Sequence, residues 1–487
     1  MRVIRLVILA ALSFSTLSAF SAPKRIAEET EAQREARMKW FVSDRFGMFI
    51  HWGLYSVPAR GAWTKTNEKL TDERYDTYFP EFDPDLYDAR EWARMARNAG
   101  MKYVVMTAKH HEGFCMWDSK VTDYKVTNTP AGRDLLREYV DAFRAEGLRV
   151  GFYYSLIDWH HPSFTIDKLH PLRPADEDNP AAYEALNKGR DMSVYRKYMK
   201  DQVRELLTEY GQIDVIWFDY SYTYLNPGKG RKDWDSEGLV KLARELQPQI
   251  LINNRADLKE FSWGWDFQTP EQYRVRNTPT FNGRKAYWET CQTMNGEWGY
   301  NPTPGSATPS GATASRYGWK TASQLLEILA ETVSKGGNLL LNVGPTARGE
   351  IDRPSRERLA LIADWMRYNS RSIYGCTEAP AGITAPDRCI LTYNPETKRL
   401  YIHLVDYPTG RLNIDFGDRV KFARFLHDGS EVRVESKVRG TGADAETVVS
   451  LLLPMVQPDV VNPVIEVVLT DGLAASRAKE SAAASID

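Results

Sequence analysis

Short, mainly apolar runs alternate with amphipathic stretches between about residues 44 and 370. Runs without polar alternation are typical of strands that are buried on both faces of a parallel sheet. The predicted strands are 46–50, 103–106, 150–154, 213–218, 250–252 and 339–343. The predicted helices between them are 86–98, 133–146, 190–210, 236–247, 322–335 and 355–369, and Gly100, Gly147 and Gly211 follow three of them as C-terminal caps.

Repeated strand-then-helix units predict a parallel sheet. Roughly eight units fit into this stretch, with polar residues directly after each strand, which favours a (β/α)8 TIM-like barrel over a doubly wound sheet. The sixth and seventh units, at about 265–290, have the weakest pattern. Two polar segments, 160–190 and 302–315, are predicted to be loops, and we expect the first to lie over the mouth of the barrel.

The pattern changes after about residue 375, where short strands are separated by turn residues. This pattern predicts an antiparallel β-sandwich of roughly 100 residues. Its predicted strands are 391–393, 400–404, 420–422, 432–434, 448–452 and 464–468. We therefore divide the chain into a barrel at 22–372, a sandwich at 373–473 and a disordered tail at 474–487, which is rich in Ala, Ser and charge.

The first 21 residues have the pattern of a signal peptide. Arg2 and Arg5 precede an apolar run at 6–14, and a small-x-small cleavage site ends at Ser21. The run is shorter than the roughly 20 residues that span a membrane, so we expect an exported protein, periplasmic or secreted, without a membrane span. The chain has four cysteines, of which Cys376 and Cys389 are close enough in sequence to pair, and none has metal-ligand spacing.

The overall charge argues against a nucleic-acid partner. The chain has 63 Lys and Arg against 65 Asp and Glu, a net charge of −2, so it has no surplus of positive charge for phosphate contacts. It is rich in aromatic residues, with 14 Trp and 25 Tyr, which favours a protein that stacks rings against sugars. No pattern indicates a cofactor or an oligomeric state.

Histidines and carboxylates collect at the ends of the predicted strands, where the chemistry of a barrel is found. Five of the eight histidines follow the first three strands: His51, His110, His111, His160 and His161. Asp219 closes an otherwise apolar strand and lies on the same side of it as Trp217. A carboxylate at that position points into the barrel mouth, which favours a catalytic role.

A second carboxylate near Asp219 would complete the pair that glycoside hydrolysis needs. Glu271 and Glu289 are the candidates, and Arg255, one strand over, could hold a carboxylate or a substrate hydroxyl. The aromatic residues that could supply stacking faces and a low-dielectric wall are Trp63, Tyr154, Trp217, Trp288 and Trp298.

Two other classes of protein remain open at this point. A metal-dependent hydrolase could use His51, His110, His111 and Asp219, but adjacent histidines are expected to point in different directions, and the sequence lacks His-x-His and His-Glu-x-x-His. A non-catalytic sugar-binding protein would keep the aromatic residues and histidines without needing paired carboxylates.

Four segments resemble glycoside hydrolase family 29, the α-L-fucosidases. They are Arg45–Gly53, Ala108–Phe114, Trp217–Asp219 and Ser334–Pro345, and the resemblance runs from about residue 40 to 369 and more weakly into the sandwich. It implies an exo-acting retaining α-L-fucosidase that forms a covalent glycosyl-enzyme intermediate on fucosylated glycans, needs no cofactor and has Asp219 as nucleophile.

The resemblance also implies roles for other residues. It favours Glu271 as the acid/base, with Glu289 as the alternative, and implies that His51, His110, His111, Tyr154, Trp217, Arg255 and Trp298 bind the sugar. One departure is that Ala62-Trp63 stands where many members of the family have Glu-Trp. Trp63 can still pack on the sugar, but the missing carboxylate leaves room for a related sugar such as L-galactose.

Overall fold

The structure, a computed structural model, describes residues 29–303, 318–439 and 446–470. The expected signal peptide at 1–21, the expected tail at 474–487 and most of the predicted loop 302–315 lie outside these residues. Among the described helices, none combines the length and the apolar run that a bilayer crossing needs. All four cysteines are free thiols, so Cys376 and Cys389 do not pair.

The predicted barrel is confirmed. Its strands, together with a small hairpin, are β1 Phe46–Ile50, β2 Tyr103–Lys109, β3 Arg149–Ser155, β4 Val215–Asp219, β5 Leu251–Ile252, β6 Thr280–Phe281, β7 Arg284–Lys285, β8 Glu289–Thr293 and β9 Asn338–Val343. Seven of them form one parallel sheet in the order β5-β4-β3-β2-β1-β9-β8. Almost every residue of these seven strands is buried, as the apolar runs predict.

Three isolated residue pairs close the ring between β5 and β8. Phe267 pairs with Asn253, Gln268 with Trp288 and Glu271 with Cys291, all in parallel fashion. The backbone N–H of Glu289 donates to the carbonyl of Gln268 at 2.8 Å, which completes an eighth position. The fully described segment 269–288 that follows contains the antiparallel hairpin β6–β7 and no helix, so the sixth unit departs from the βα repeat.

The helices surround the barrel. They are α1 Glu31–Asp44, α2 Thr64–Asn67, α3 Asp72–Tyr75, α4 Ala89–Asn98, α5 Leu135–Ala145, α6 Pro180–Leu186, α7 Met192–Glu209, α8 Arg231–Trp234, α9 Ser236–Leu246, α10 Ala322–Val333 and α11 Arg353–Asn369. All six predicted helices are present within three residues at each end. Gly100, Gly147 and Gly211 have φ of +82°, +75° and +69°, the left-handed conformation that suits a glycine cap.

Helix α1, which the sequence did not predict, fills the end of the barrel where the strands begin. Phe41 packs against Phe267 and Tyr103, with ring centroids 4.8 and 6.1 Å apart. The predicted loop 160–190 contains the short helix α6, and its Phe164 is buried in the main hydrophobic core. One end of the barrel is therefore plugged, and the other is left for chemistry.

The C-terminal part is the predicted antiparallel β-sandwich. Its strands are β10 Cys389–Asn394, β11 Arg399–Leu404, β12 Arg411–Ile414, β13 Val420–Phe425, β14 Val434–Arg439, β15 Glu446–Leu452 and β16 Val464–Leu469. The sheets β10-β11-β16-β13 and β12-β15-β14 enclose a core of Leu400, Ile402, Leu412, Leu451 and Ile465. Strand β12 was not predicted, and the strand predicted at 432–434 begins only at Val434. The boundary after residue 372 stays a prediction.

Candidate active site

A pocket opens at the carboxyl ends of the barrel strands. It is lined by Phe49, His51, Trp63, His110, His111, Tyr153, Trp217, Asp219, Tyr220, Arg255, Glu271, Cys291 and Trp298. Nine of these residues are among those predicted from the sequence. Phe49, Tyr153, Tyr220 and Cys291 were missed.

Asp219 is the last residue of β4 and is 7% exposed. The hydroxyl of Tyr153 donates to its Oδ2 at 2.9 Å, and Arg255 donates to its Oδ1 at 2.9 Å. Burial raises the pKa of Asp219 to about 6, and the charge of Arg255 opposes this shift. At neutral pH the carboxylate is therefore ionised and fixed by two donors.

Arg255 links Asp219 to Glu271. Its Nη1 lies 2.9 Å from Asp219 Oδ1 and 2.8 Å from Glu271 Oε2. Its Nε donates to Thr269 Oγ1 at 2.9 Å, and the guanidinium carbon lies 4.4 Å from the Trp217 ring centroid. Thr269 was not predicted, although it precedes Glu271 by two residues. The arginine is held on three sides, so it fixes the geometry of both carboxylates.

The two carboxylates differ in exposure. The side chain of Glu271 is 38% exposed, against 9% for Asp219. The indole N–H of Trp298 donates to Glu271 Oε1 at 3.1 Å. Glu271 therefore lies at the rim of the pocket, where a leaving group departs, and Asp219 lies deeper.

Three buried imidazoles form one wall of the pocket. His51 Nδ1 lies 2.7 Å from Asn342 Oδ1, and Asn342 Nδ2 donates to the Trp298 carbonyl, which fixes Oδ1 as an acceptor. His111 Nδ1 lies 2.7 Å from Ser155 Oγ, whose own hydrogen is donated to the Ile157 carbonyl. Both Nδ1 atoms must therefore carry the proton, so each Nε2 is left as an acceptor.

Burial keeps these imidazoles neutral. It lowers the pKa of His51 and His111 well below the usual value and that of His110 to about 3. A neutral imidazole can read a sugar hydroxyl without adding charge to a pocket that already holds a guanidinium.

The adjacent histidines do not point in different directions, so that expectation was wrong. The rings of His110 and His111 lie side by side, with centroids 4.0 Å apart, and both line the pocket. They follow the end of β2, directly after an irregularity in its register between Thr107 and Lys109. Strict alternation of side chains does not extend past such an irregularity.

Tyr154 does not belong to the pocket. Its hydroxyl donates to Gln202 Oε1 on α7 at 2.7 Å, and Lys109 Nζ lies 4.5 Å from its ring centroid. It faces the helices because successive residues of β3 alternate, and the inward position belongs to Tyr153, which is paired in register with Trp217.

Glu289 lies beneath the pocket and does not line it. It is 1% exposed, and its two oxygens accept hydrogen bonds from Tyr103 at 2.5 Å and from the indole of Trp217 at 3.2 Å. Burial raises its pKa to about 7. With both oxygens occupied inside the barrel, Glu289 is placed to support Trp217, whereas Glu271 has access to a leaving group.

Three other predicted positions lie away from the sugar pocket. The ring of His160 stacks on Tyr124 with centroids 3.7 Å apart, and His161 packs against Tyr198 at 4.5 Å. Trp288 is buried and donates to the Lys335 carbonyl. Residues 29–303, 318–439 and 446–470 contain no group of three His, Cys, Asp or Glu side chains that could hold a metal ion.

A second cavity, of about 320 Å³, continues from the two carboxylates toward solvent. Its lining is mostly polar: Ser221, Thr223, Tyr224, Asn254, Asp257, Lys259 and Thr269 join Asp219, Tyr220, Arg255 and Glu271. Tyr224 is 75% exposed. A narrow pocket for one sugar ring is thus joined to a wider groove on the leaving-group side.

Two carboxylates on one arginine, at the mouth of a (β/α)8 barrel and beside a pocket walled by indoles, define the class of this protein as a glycoside hydrolase. Comparison with known proteins gives the family. The family model described as alpha-L-fucosidase matches residues 14–371, and the chain belongs to this family, glycoside hydrolase family 29. Membership decides against the non-catalytic sugar-binding protein and the metal-dependent hydrolase.

Relatives agree over most of the chain. Tissue alpha-L-fucosidase of Rattus norvegicus is 28% identical over 404 residues, which cover 76% of each chain. Alpha-L-fucosidase isoenzyme 1 from Paenibacillus thiaminolyticus is 45% identical with a TM-score of 0.78, covering 90% of this chain and 100% of that one. A trapped covalent intermediate of an alpha-L-fucosidase from Bacteroides thetaiotaomicron, in complex with 2-fluoro-fucosyl fluoride, is 28% identical with a TM-score of 0.71, covering 89% and 96%.

Proposed function

We propose that this α-L-fucosidase is an exo-acting, retaining enzyme that removes terminal α-L-fucosyl groups from fucosylated glycans through a covalent glycosyl-enzyme intermediate. The observation that carries the proposal is the shared contact with Arg255. Its Nη1 lies 2.9 and 2.8 Å from Asp219 Oδ1 and Glu271 Oε2, so these two oxygens are at most about 5.7 Å apart, against roughly 5–5.5 Å between the carboxyl groups of retaining enzymes and 6.5–9.5 Å in inverting ones.

In the first step, an oxygen of Asp219 attacks the anomeric carbon as the bond to the leaving oxygen breaks. Glu271, protonated, gives its proton to that oxygen. In the second step, Glu271 takes a proton from water, the water oxygen bonds to the anomeric carbon, and Asp219 is released as a carboxylate. The trapped intermediate of the Bacteroides relative supports this route.

The shape of the site supports removal of terminal sugars. Phe49, Trp217 and Cys291, each 1% exposed, close the inner end of the pocket. A wide path leads from Glu271 into the polar groove. One ring can therefore occupy the pocket, while the rest of the glycan lies in the groove.

Ala62 supports an α-L-galactoside as a second candidate substrate. Ala62 is buried beside Trp63, and it brings no carboxylate to the pocket. An α-L-galactoside differs from an α-L-fucoside by one added hydroxyl. Even an apolar pocket rejects such an addition only about a hundredfold, so this polar pocket is expected to discriminate no more strongly. The ratio of kcat/KM on the two aryl glycosides measures this preference, and we expect it to favour the fucoside.

Proton NMR during early hydrolysis of an aryl α-L-fucoside tests retention. Two inversions at the anomeric carbon restore its configuration, so α-L-fucose should appear first and only then mutarotate. Initial release of β-L-fucose would make Asp219 a general base and overturn the proposed mechanism.

We also propose that the protein is exported, periplasmic or secreted. The support is the charged start, the short apolar run at 6–14 and the small residues around Ser21. N-terminal sequencing of protein from the native host should begin at Ala22, and a chain that still begins at Met1 would contradict export by cleavage.

A further inference from the structure

Glu112 is a buried carboxyl group next to the histidine wall, and the proposed mechanism does not use it. It is 1% exposed, and its Oε2 lies 3.3 Å from His110 Nδ1. Within the described residues, neither oxygen of Glu112 nor His110 Nδ1 has a side-chain or backbone hydrogen bond of good geometry, and their mutual contact is close in distance only. A buried, ionised carboxyl group destabilises the folded protein unless it becomes neutral or forms a hydrogen bond.

The cations nearest to Glu112 are already paired with other carboxylates. Lys65 Nζ lies 2.7 Å from Asp72, and Lys109 Nζ lies 3.0 Å from Asp158. The other titratable groups facing Glu112 are the phenols of Tyr55, Tyr75 and Tyr124, whose pKa values burial raises, so they are neutral. No cation is left to stabilise an ionised Glu112 among these neighbours.

We propose that Glu112 is a positioning residue that is present as a carboxylic acid and donates its proton to His110 Nδ1. His110 must then carry its own proton on Nε2, which makes it a hydrogen-bond donor at the pocket wall. This inference rests on the proposed function only in that the ligand is a neutral sugar. Burial supports it by raising the pKa of Glu112 to about 8 and lowering that of His110 to about 3.

As a consequence, the histidine wall of the pocket presents both hydrogen-bond donors and acceptors. His51 and His111 present acceptors, whereas His110, between them at ring-centroid distances of 5.7 and 4.0 Å, presents a donor. A sugar hydroxyl donates one hydrogen bond and accepts others. A donor flanked by two acceptors can therefore satisfy neighbouring hydroxyls on one ring, whereas three acceptors would leave hydroxyl lone pairs unmatched. Glu112 thus helps to select a vicinal diol.

The binding of L-fucose as a competitive inhibitor tests this role without depending on the acid/base step. In the wild type, Ki should stay constant to about pH 7.5 and rise roughly tenfold by about pH 9.5, the loss of about one hydrogen bond. Ionised Glu112 would draw the proton of His110 to Nδ1 and remove the donor. Glu112→Gln keeps an N–H donor and does not titrate, so its Ki should stay near the wild-type neutral value throughout.

Glu112→Met removes the donor and should raise Ki about tenfold at every pH. The matched control is Glu297→Gln, because Glu297 is another partly buried glutamate with a raised pKa, bonded to Asn301 and absent from the pocket lining. It should keep the wild-type alkaline rise. An alkaline rise that survives in Glu112→Gln, or wild-type binding by Glu112→Met, would overturn the inference.

Imidazole ¹⁵N NMR supplies a readout that needs no sugar. His161 and His170 also carry Nε2–H, because their Nδ1 atoms accept backbone N–H groups. Of the three histidines of the pocket wall, His110 alone should show the Nε2–H tautomer at neutral pH, and it should lose that signal in Glu112→Met or above about pH 8. If wild-type protein binds no L-fucose at any pH, the proposed function fails, and the NMR signature still decides the role of Glu112. If Glu112→Met does not fold, the pH series of the wild type and Glu112→Gln decides it.

Discussion

Asp219 has the two properties that a nucleophile needs, a fixed position and a charge at neutral pH. Asp219→Ala should keep the fold and lower kcat on an aryl α-L-fucoside by several orders of magnitude, because no other carboxylate lines the inner part of the described pocket. Steady-state kinetics on protein with wild-type circular dichroism measures this. A variant that keeps more than about a tenth of wild-type kcat would rule out Asp219 as the nucleophile.

Glu271 at the rim is assigned the proton transfers. Glu271→Ala should slow substrates with basic leaving groups far more than activated aryl fucosides, and azide should speed the second step on the activated ones. Glu289→Ala is the matched comparison, since Glu289 is enclosed by Tyr103 and Trp217. If azide rescues Glu289→Ala and not Glu271→Ala, the two roles must be exchanged.

The sequence predicts residues that close an apolar run better than those within it. Asp219 was found because a carboxylate directly after a buried strand has little structural reason to be there, Arg255 because it follows the next strand, and Glu271 because its segment resembles the family. Thr269 and Ser155 act by holding other side chains, and nothing in their local pattern distinguishes them from ordinary polar residues of loops and strand ends. Glu112 was quoted only as part of a family segment, because its burial depends on distant neighbours.

The apolar pattern predicts strand β3 but does not predict which of its side chains face the pocket. Its run of apolar and aromatic residues predicts a strand, but the two faces of a fully buried strand look alike in sequence. The register that pairs Tyr153 with Trp217 decides which tyrosine faces the pocket, and that register is set by the neighbouring strands.

The variants Tyr153→Phe and Tyr154→Phe test whether these two side chains of β3 face the pocket and the helices, respectively. Tyr153→Phe removes a donor to Asp219 that lowers its pKa, so the acid limb of kcat/KM, near pH 6 in the wild type, should move to higher pH. Tyr154→Phe leaves Gln202 Oε1 without its donor and should lower stability by about 1 kcal/mol with kcat/KM unchanged. Identical pH profiles for wild type and Tyr153→Phe would show that this bond does not act on Asp219.

The sixth barrel position was weak in sequence for a physical reason. Only the isolated pairs of Phe267, Gln268 and Glu271 join the described part of this position to neighbouring strands, so no run of apolar residues marks it. Charge holds it instead: Asp266 pairs with Arg37 and Arg244 at 2.8 Å each and accepts the N–H of Ile252. A partner such as Arg37, 229 residues from Asp266 in the sequence, cannot be read from a local pattern.

At the scale of the whole molecule, the site imposes a pH dependence on stability. Burial raises the pKa of Asp219, Glu289 and Glu112 to about 6, 7 and 8. These three groups contribute fully to the free energy of unfolding below their unfolded pKa values, near pH 4. Their contributions are lost as the pH rises through their folded pKa values. Six imidazoles have the opposite sign, because burial lowers their pKa values: His51, His110, His111, His161, His170 and His403.

The imidazoles contribute fully to the free energy of unfolding above about pH 6.5, their unfolded pKa. Their contributions are lost as the pH falls toward their folded pKa values. Between about pH 4.5 and 6.5, a rising pH strengthens the imidazole contributions and weakens the carboxyl contributions. The imidazoles outnumber the carboxyl groups, so stability rises over this range. Above about pH 6.5, only the carboxyl groups of this set still titrate. Tm should therefore be highest near pH 6.5 and lower by on the order of a few °C at pH 8.5. Thermal unfolding across this range measures it. The double variant Glu112→Gln with Glu289→Gln should flatten the alkaline side and leave the acid side unchanged, whereas a wild-type Tm that keeps rising to pH 8.5 would mean that the buried carboxyl groups are already ionised at neutral pH.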